Sequence, residues 1–317
     1  MAPFCEEQGG AIIGSTINKY AYCSIVPRED DQIVVHSLDF DMTVKYNTRE
    51  NYVYDGKLDL VTAALNAMGI DQGCEVYLQC DAPPGSGLGT SSTVMVAMLT
   101  AMARWKGVMM DAYALADLAY QVERKELGLS GGKQDQYAAT FGGFNYIEFF
   151  DNDRVIVNPL RIKNWIRNEL ENSLVLYYTG TSRDSAKIID EQKKSTTGSH
   201  KGLEGMHELK RQAGLMKECV LKGDFEGFAQ CLRDGWEAKK KTSSVISNPH
   251  IEEMYQYAME HGAKAAKISG AGGGGFMMIV CDPTARYGLV EALKKTEGTV
   301  MLASFTEKGS QAWTLYD

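Results

Sequence analysis

Hydrophobic and polar positions repeat along this chain with two periods, and the point where one gives way to the other divides it. Residues 11–26 (AIIGSTINKYAYCSIV) and 32–40 (QIVVHSLDF) carry β-branched and aromatic side chains at roughly every second position, which predicts strands. Residues 59–68 repeat at helical spacing and stop at Gly69, the residue type that favours a helix end. A strand is expected at 74–80 (CEVYLQC) and a helix at 91–106. A second helix is expected over 111–127, where Ala112, Leu115, Ala119 and Val122 share one apolar stripe and Gly128 ends the run. A glycine-rich loop with a short central segment (GLSGGKQDQYAATFGG, 128–143) leads into a strand, FNYIEFF.

Past residue 155 the longer period takes over. A strand at 173–180 precedes charged helices at 183–195, 199–221, 224–241 and 249–261. A strand–loop–strand follows (AAKISGAGGGGFMMIV, 265–280), then a helix at 284–295 and a closing strand at 299–305. The pattern predicts an α+β protein of two lobes, residues 1–155 rich in strands and 156–317 with helices covering a small sheet.

Composition limits the setting. At 317 residues the chain can bury a large core, and 44% hydrophobic with 23% charged residues is the balance of a soluble globular protein. A net charge of −8 argues against a nucleic-acid partner, because such binders are normally basic. The seven cysteines form no C-x-x-C pair, so neither a zinc site nor a disulfide framework is expected, and reduced thiols in a cytoplasm fit better. No apolar run reaches the roughly 18 residues of a membrane span, and the first residues do not form a signal peptide.

Candidate chemistry begins at PPGSGLGTSST, 83–93, between a strand and a helix. A helix start exposes unpaired N–H groups and the positive end of its dipole. Gly85, Gly87 and Gly89 let backbone approach an anion, and Thr90, Ser91 and Ser92 add hydroxyls that bind phosphate oxygens or Mg²⁺. The alternative is a glycine turn capped by a serine. Neither the Walker lysine nor the third Rossmann glycine is present, since Thr90 stands at the latter position. Glu123 and Asp135 are the acidic candidates near such a site: one carboxylate for a cation, one for an attacking hydroxyl. Taken singly, Glu123 reads as a solvated helix charge. The four glycines 272–275 before an apolar strand suit close approach by another backbone or a ligand, or else form a mobile hairpin loop.

Together these segments resemble the galactokinase, homoserine kinase, mevalonate kinase and phosphomevalonate kinase (GHMP) superfamily. Its phosphate motif P-x-x-x-G-L-G-S-S is similar to Pro84-Gly85-Ser86-Gly87-Leu88-Gly89-Thr90-Ser91-Ser92, with Thr90 for the first serine. Its late glycine motif is similar to residues 270–275. TINKYAY, GGKQDQYAATFGGFNYIEF, YTGTSRDSAKIIDEQ and SSVISNPHIEEMY extend the resemblance to the heptose-phosphate kinase branch. The resemblance implies a first lobe like ribosomal protein S5 domain 2 and a ferredoxin-like second lobe. It also implies ATP-dependent phosphorylation, with Mg²⁺, of the anomeric hydroxyl of D-glycero-D-manno-heptose 7-phosphate. By the same resemblance Ser91 and Glu123 hold Mg²⁺, Asp135 is catalytic, and residues 84–92 wrap the ATP phosphates. Gly272, Gly273 and Gly274 lie at the substrate. Arg183 and Lys187, four apart on one helix face behind Thr181 and Ser182, are expected with Lys133 to receive the 7-phosphate. A solvated helix start is the alternative there.

The family's opening segment, R-x-P-L-R followed by G-G-G-T-D, has no counterpart before MAPFCEEQGG. A late start assignment or a true shortening is expected, leaving 11–26 as an open edge and giving weakened activity or a homodimer. A kinase of another sugar (L-fucose or galactose) and a silent sugar- or nucleotide-binding regulator on the same fold are the competing readings.

Overall fold

The computed structural model describes residues 4–50, 52–180 and 185–315, so Thr181, Ser182 and Arg183 lie outside the described residues. Along the chain, α1 (Phe4–Glu7) and β1 (Gly10–Ser15) precede β2 (Ala21–Pro27), β3 (Gln32–Ser37) and β4 (Met42–Asn47). Next come α2 (Asp59–Met68), β5 (Cys74–Cys80), α3 (Thr90–Lys106) and α4 (Ala112–Tyr120), which runs on as a π-helical turn (Gln121–Glu126). Then α5 (Gln134–Phe141), β6 (Phe144–Phe149), β7 (Val155–Pro159), α6 (Asn164–Ser173) and β8 (Leu174–Tyr178) follow. The last part holds α7 (Ser185–Gly198), α8 (His200–Lys222), α9 (Phe225–Lys241) and α10 (Pro249–Glu260), then β9 (Ala263–Ile268), β10 (Phe276–Cys281), α11 (Arg286–Leu293) and β11 (Thr299–Met301).

These elements form two compact units, neither of them one continuous stretch. The first contains the chain up to Asn18, Gly85–Leu88 and Gly143–Glu307; the second contains Lys19–Pro84, Gly89–Gly142 and the chain from Lys308. Of residues 84–92, Gly85–Leu88 belong to the first unit and Pro84 and the start of α3 to the second.

In the second unit the sheet order is β2-β5-β3-β4, with β3 and β5 parallel and the other pairs antiparallel. Alternation sends Ile33, Val35, Cys74, Val76 and Leu78 to one face, where they meet Leu65 of α2 and Met95, Met98, Leu99 and Met102 of α3. Each such side chain withdrawn from water contributes about 1.5–3 kcal/mol, and this core anchors the helix that opens at the phosphate motif. Burial pushes the Cys23 thiol up to about 12 and the Cys74 thiol to about 11, so neither is a thiolate near neutrality. No disulfide forms among the described residues.

In the first unit an antiparallel sheet runs β11-β8-β10-β9. Numbered by their order in the chain, those strands stand fourth, first, third, second, the ferredoxin-like arrangement. Both faces are covered: Val175, Tyr177, Met277 and Ile279 pack with α10 and α11, and Leu174 and Val280 with Ala229 and Leu232 of α9. That explains why SLVLYY is apolar without alternation. A smaller antiparallel sheet, β1-β6-β7, completes the unit.

Three expectations need correction. The strand foreseen over 11–26 is two strands in two sheets: the regular pairing stops between Ser15 and Ala21, where Asn18 N donates to Ser304 O, Ser304 N donates to Asn18 Oδ1, and Ile17 bridges to Phe305. The helix foreseen over 111–127 changes to π geometry at Gln121. The closing strand ends at Met301. Four elements, α1, β4, β7 and α6, lie outside the sequence expectations. β4 is a half-exposed edge strand, and α6 buries only Ile166, Leu170 and Ser173.

Candidate functional site

Within the first unit, residues 85–88 rest on the late glycine loop backbone to backbone. Phe276 N donates to Ser86 O at 2.9 Å, and Ser86 is fully buried. A Cβ on Gly87 would lie 2.9 Å from Ser269 O, one on Gly270 would lie 2.7 Å from Gly87 O, and one on Gly275 would strike Ser86 O. Gly87 and Gly275 also hold φ of 78° and 87°, which side chains avoid. Of the two readings of the glycine run, the structure shows close approach by another backbone. The loop is strapped in place: Thr179 N and Oγ1 both donate to Gly275 O at 3.0 Å, and Asn248 Nδ2 donates to Gly273 O at 3.3 Å. Lys239 Nζ donates to Gly270 O. Gly272, Gly273 and Gly274 are buried beneath these contacts.

The second unit carries the start of α3. Its cap is Gly89 at φ 78°, and no side chain caps the helix. Positive dipole and N–H groups therefore meet whatever lies before it. Glu123 is directed to this end by the π turn, a local widening common at functional sites. The Leu127 N–H reaches back five residues to Val122 O, which brings Glu123 to the interior face. Its carboxylate is fully buried. Ser91 Oγ donates to Oε1 at 2.5 Å; Ser92 Oγ and Gln136 Nε2 donate to Oε2 at 2.7 and 2.6 Å. Arg124 Nη1 stands 3.3 Å from Oε1 and supplies the counter-charge. A Cβ on Gly131 would collide with that guanidinium, so the glycine-rich loop leaves room for Arg124.

Asp135 sits in the first turn of α5. A Cβ on Gly89 would lie 3.1 Å from its Cγ, so the carboxyl lies against the cap of α3, with Gln134 Nε2 donating to Oδ1 at 3.2 Å. Thus Ser91, Ser92 and Glu123 come together, and Asp135 flanks the same helix start. Lys133 is buried with its ammonium 4.8 Å from the Tyr120 ring centroid. It belongs to the second unit, whereas Lys187 is exposed on α7 of the first. Pro84 and Gly85 are exposed, and Leu88 packs with Leu176 and Phe276.

The solvated reading of Glu123 is overturned: amphipathic spacing put it next to core-facing Val122, but only the π turn carries it fully inside. Sequence reasoning passed over Gln136, Arg124, Thr179, Lys239 and Asn248. Each is a common polar residue whose importance lies in what it touches, and no spacing rule marks that. Among the described residues there is no group of three or more His, Cys, Asp and Glu arranged to hold a metal. None of the described helices is long and apolar enough to cross a membrane.

Comparison with known proteins fits this geometry. The model for the GHMP kinases N terminal domain matches residues 51–143, and that for the GHMP kinases C terminal matches 216–298. D-glycero-alpha-D-manno-heptose 7-phosphate kinase of Campylobacter jejuni is 44% identical over 317 residues, spanning 98% of this chain and 93% of its own. The structure of a D-glycero-D-manno-heptose 1-phosphate kinase from Bacteroides thetaiotaomicron has a TM-score of 0.84 at 39% identity, covering 100% of this chain and 94% of that one. Lactococcus lactis galactokinase with galactose has a TM-score of 0.78 at 15% identity, covering 95% and 89%, a likeness of fold alone. With a buried carboxylate and a second acid at an uncapped, glycine-led helix start, both family models matched and a close relative spanning nearly its whole length, this chain belongs to the GHMP kinases.

Proposed function

We propose that the protein transfers the γ-phosphoryl group of ATP to the anomeric hydroxyl of D-glycero-D-manno-heptose 7-phosphate, giving the 1,7-bisphosphate and ADP. One observation carries the reading: two acidic side chains, Glu123 and Asp135, flank the amino end of α3, one bonded to Ser91 and Ser92 and the other against Gly89. Phosphates fit there because residues 84–92 combine a turn of small residues with a helix dipole. Ser91 Oγ and Glu123 Oε1 are hard oxygen donors, the type Mg²⁺ prefers, and with only two such groups the rest of its shell would be phosphate and water. Bound there, Mg²⁺ would offset charge on the transferring phosphates.

Asp135 supplies the remaining function. It orients the acceptor hydroxyl and takes its proton as the new O–P bond forms and the bond to ADP breaks. Gly272, Gly273 and Gly274 enter the proposal as the loop next to the acceptor. Arg183 and Lys187 enter as the holders of its existing phosphate. Lys133, whose ammonium stands 4.8 Å from the Tyr120 ring centroid, enters with them as a further cation for that phosphate. Arg183→Ala is expected to raise KM for the phosphorylated sugar far more than KM for ATP in steady-state assays, and equal rises would remove it from the sugar site. A cytoplasmic setting belongs to the same proposal, as does a homodimer through the open edge of β2, where Tyr22 and Val26 are exposed. Sedimentation at two protein concentrations separates dimer from monomer.

The two heptose kinases differ in name over which oxygen already carries phosphate. The test is a coupled ADP-release assay with both heptose phosphates, L-fucose and galactose, with ³¹P NMR of the product. The proposal expects turnover of the 7-phosphate and a new anomeric phosphate. Turnover confined to the 1-phosphate or to an unphosphorylated sugar would replace the substrate, and nucleotide binding without turnover would leave a silent binder.

A further inference from the structure

Gln136 is a primary amide with no exposed surface, and its position in the fold has a cost. Both of its N–H bonds are used: Nε2 donates to Glu123 Oε2 at 2.6 Å and to Ser92 Oγ at 3.0 Å. Its Oε1 is buried with no hydrogen-bond partner among the described residues. The orientation is not free to reverse. Exchanging nitrogen and oxygen would set two acceptors, Oε1 and the carboxylate, against each other. An apolar side chain of the same length, such as methionine, would fill this position without leaving an acceptor unpaired, a cost that a purely packing role has no need to bear.

The two donors distinguish the oxygens of Glu123. Oε2 faces inward, held by Ser92 and Gln136, which are 1% and 0% exposed. Oε1 faces exposed Ser91, on the side where α3 begins, with Arg124 Nη1 3.3 Å away on its other flank. We propose that Gln136 is a positioning residue: by pinning Oε2 it fixes the carboxylate so that Oε1 and Ser91 Oγ are presented together to the cation. This rests on the reading of Ser91 and Glu123 as the cation's ligands. It also makes the first turn of α5 set both acids of the site, since Asp135 is the preceding residue. Residues that orient a ligand in this way change metal affinity by about 10–100-fold when lost.

The test compares wild type, Gln136→Met and Glu123→Gln by electron paramagnetic resonance titration of Mn²⁺ into the ADP complex, with ADP affinity measured separately in EDTA. For Gln136→Met the expected result is Mn²⁺ binding weakened about 10–100-fold, ADP affinity in EDTA unchanged, and turnover recovered by raising Mg²⁺. A general folding defect would lower ADP affinity too and would not be relieved by metal. If Gln136→Met does not fold, Gln136→Asn, which keeps the amide but withdraws it by one methylene, is expected to show the same loss. Wild-type Mn²⁺ affinity in whichever variant folds, while Glu123→Gln has lost it, would overturn the positioning role alone. Unchanged affinity in Glu123→Gln would overturn the metal assignment beneath it.

Discussion

Asp135→Asn is expected to lower kcat by about 10²–10⁴-fold, the usual contribution of a positioned general base, with ATP affinity unchanged. The substitution is nearly isosteric, and the hydrogen bond from Gln134 survives because an amide oxygen also accepts. What it removes is the charge that draws the hydroxyl proton. Steady-state kinetics with a direct nucleotide-binding measurement separates the two effects. A loss confined to KM for ATP would place Asp135 at the phosphates instead, and wild-type kcat would remove it from the chemistry.

The second large effect is expected at Glu123. Glu123→Ala should cost about 3–5 kcal/mol of stability, as for breaking a buried ion pair, because Arg124 stays largely buried without its counter-charge. Ser91, Ser92 and Gln136 lose their shared acceptor in the same step. Glu123→Gln keeps volume and an acceptor oxygen, so its stability loss should be the smaller of the two while its dependence on Mg²⁺ changes more than its fold. Urea denaturation of both variants, with and without Mg²⁺ and ADP, checks this. An Ala variant as stable as wild type would mean that the buried pair contributes nothing to holding α3 against the π turn.

The elements legible in the sequence were those that bury one face or one stripe. α2, β5 and α3 appeared at their observed places because their apolar periods match a single core. β4 and α6 carry only weak signals because little of either is buried: MTVKYN alternates over just six residues, and α6 sets only Ile166, Leu170 and Ser173 inside. The break between β1 and β2 was hidden for another reason: TINKYAY keeps a strand-like composition while the backbone hydrogen bonds of Thr16 and Asn18 pass to Thr306 and Ser304, nearly the whole chain away. At the candidate site, glycines marked the two close-packed loops because few other residue types permit that backbone. The residues that hold Glu123 in place were not legible. A π turn has no compositional sign, and Gln136 is polar at a buried position that periodicity would assign to an apolar side chain.

The most direct measurement is a crystal structure with a non-hydrolysable ATP analogue and Mn²⁺, the ion located by its anomalous signal. The triphosphate is expected against residues 85–92 and the ion bonded to Ser91 Oγ and a Glu123 oxygen, with Asp135 turned toward the γ-phosphate. Nucleotide bound elsewhere, or an ion with neither Ser91 nor Glu123 in its shell, would contradict the assignment of this helix start as the site of phosphoryl transfer.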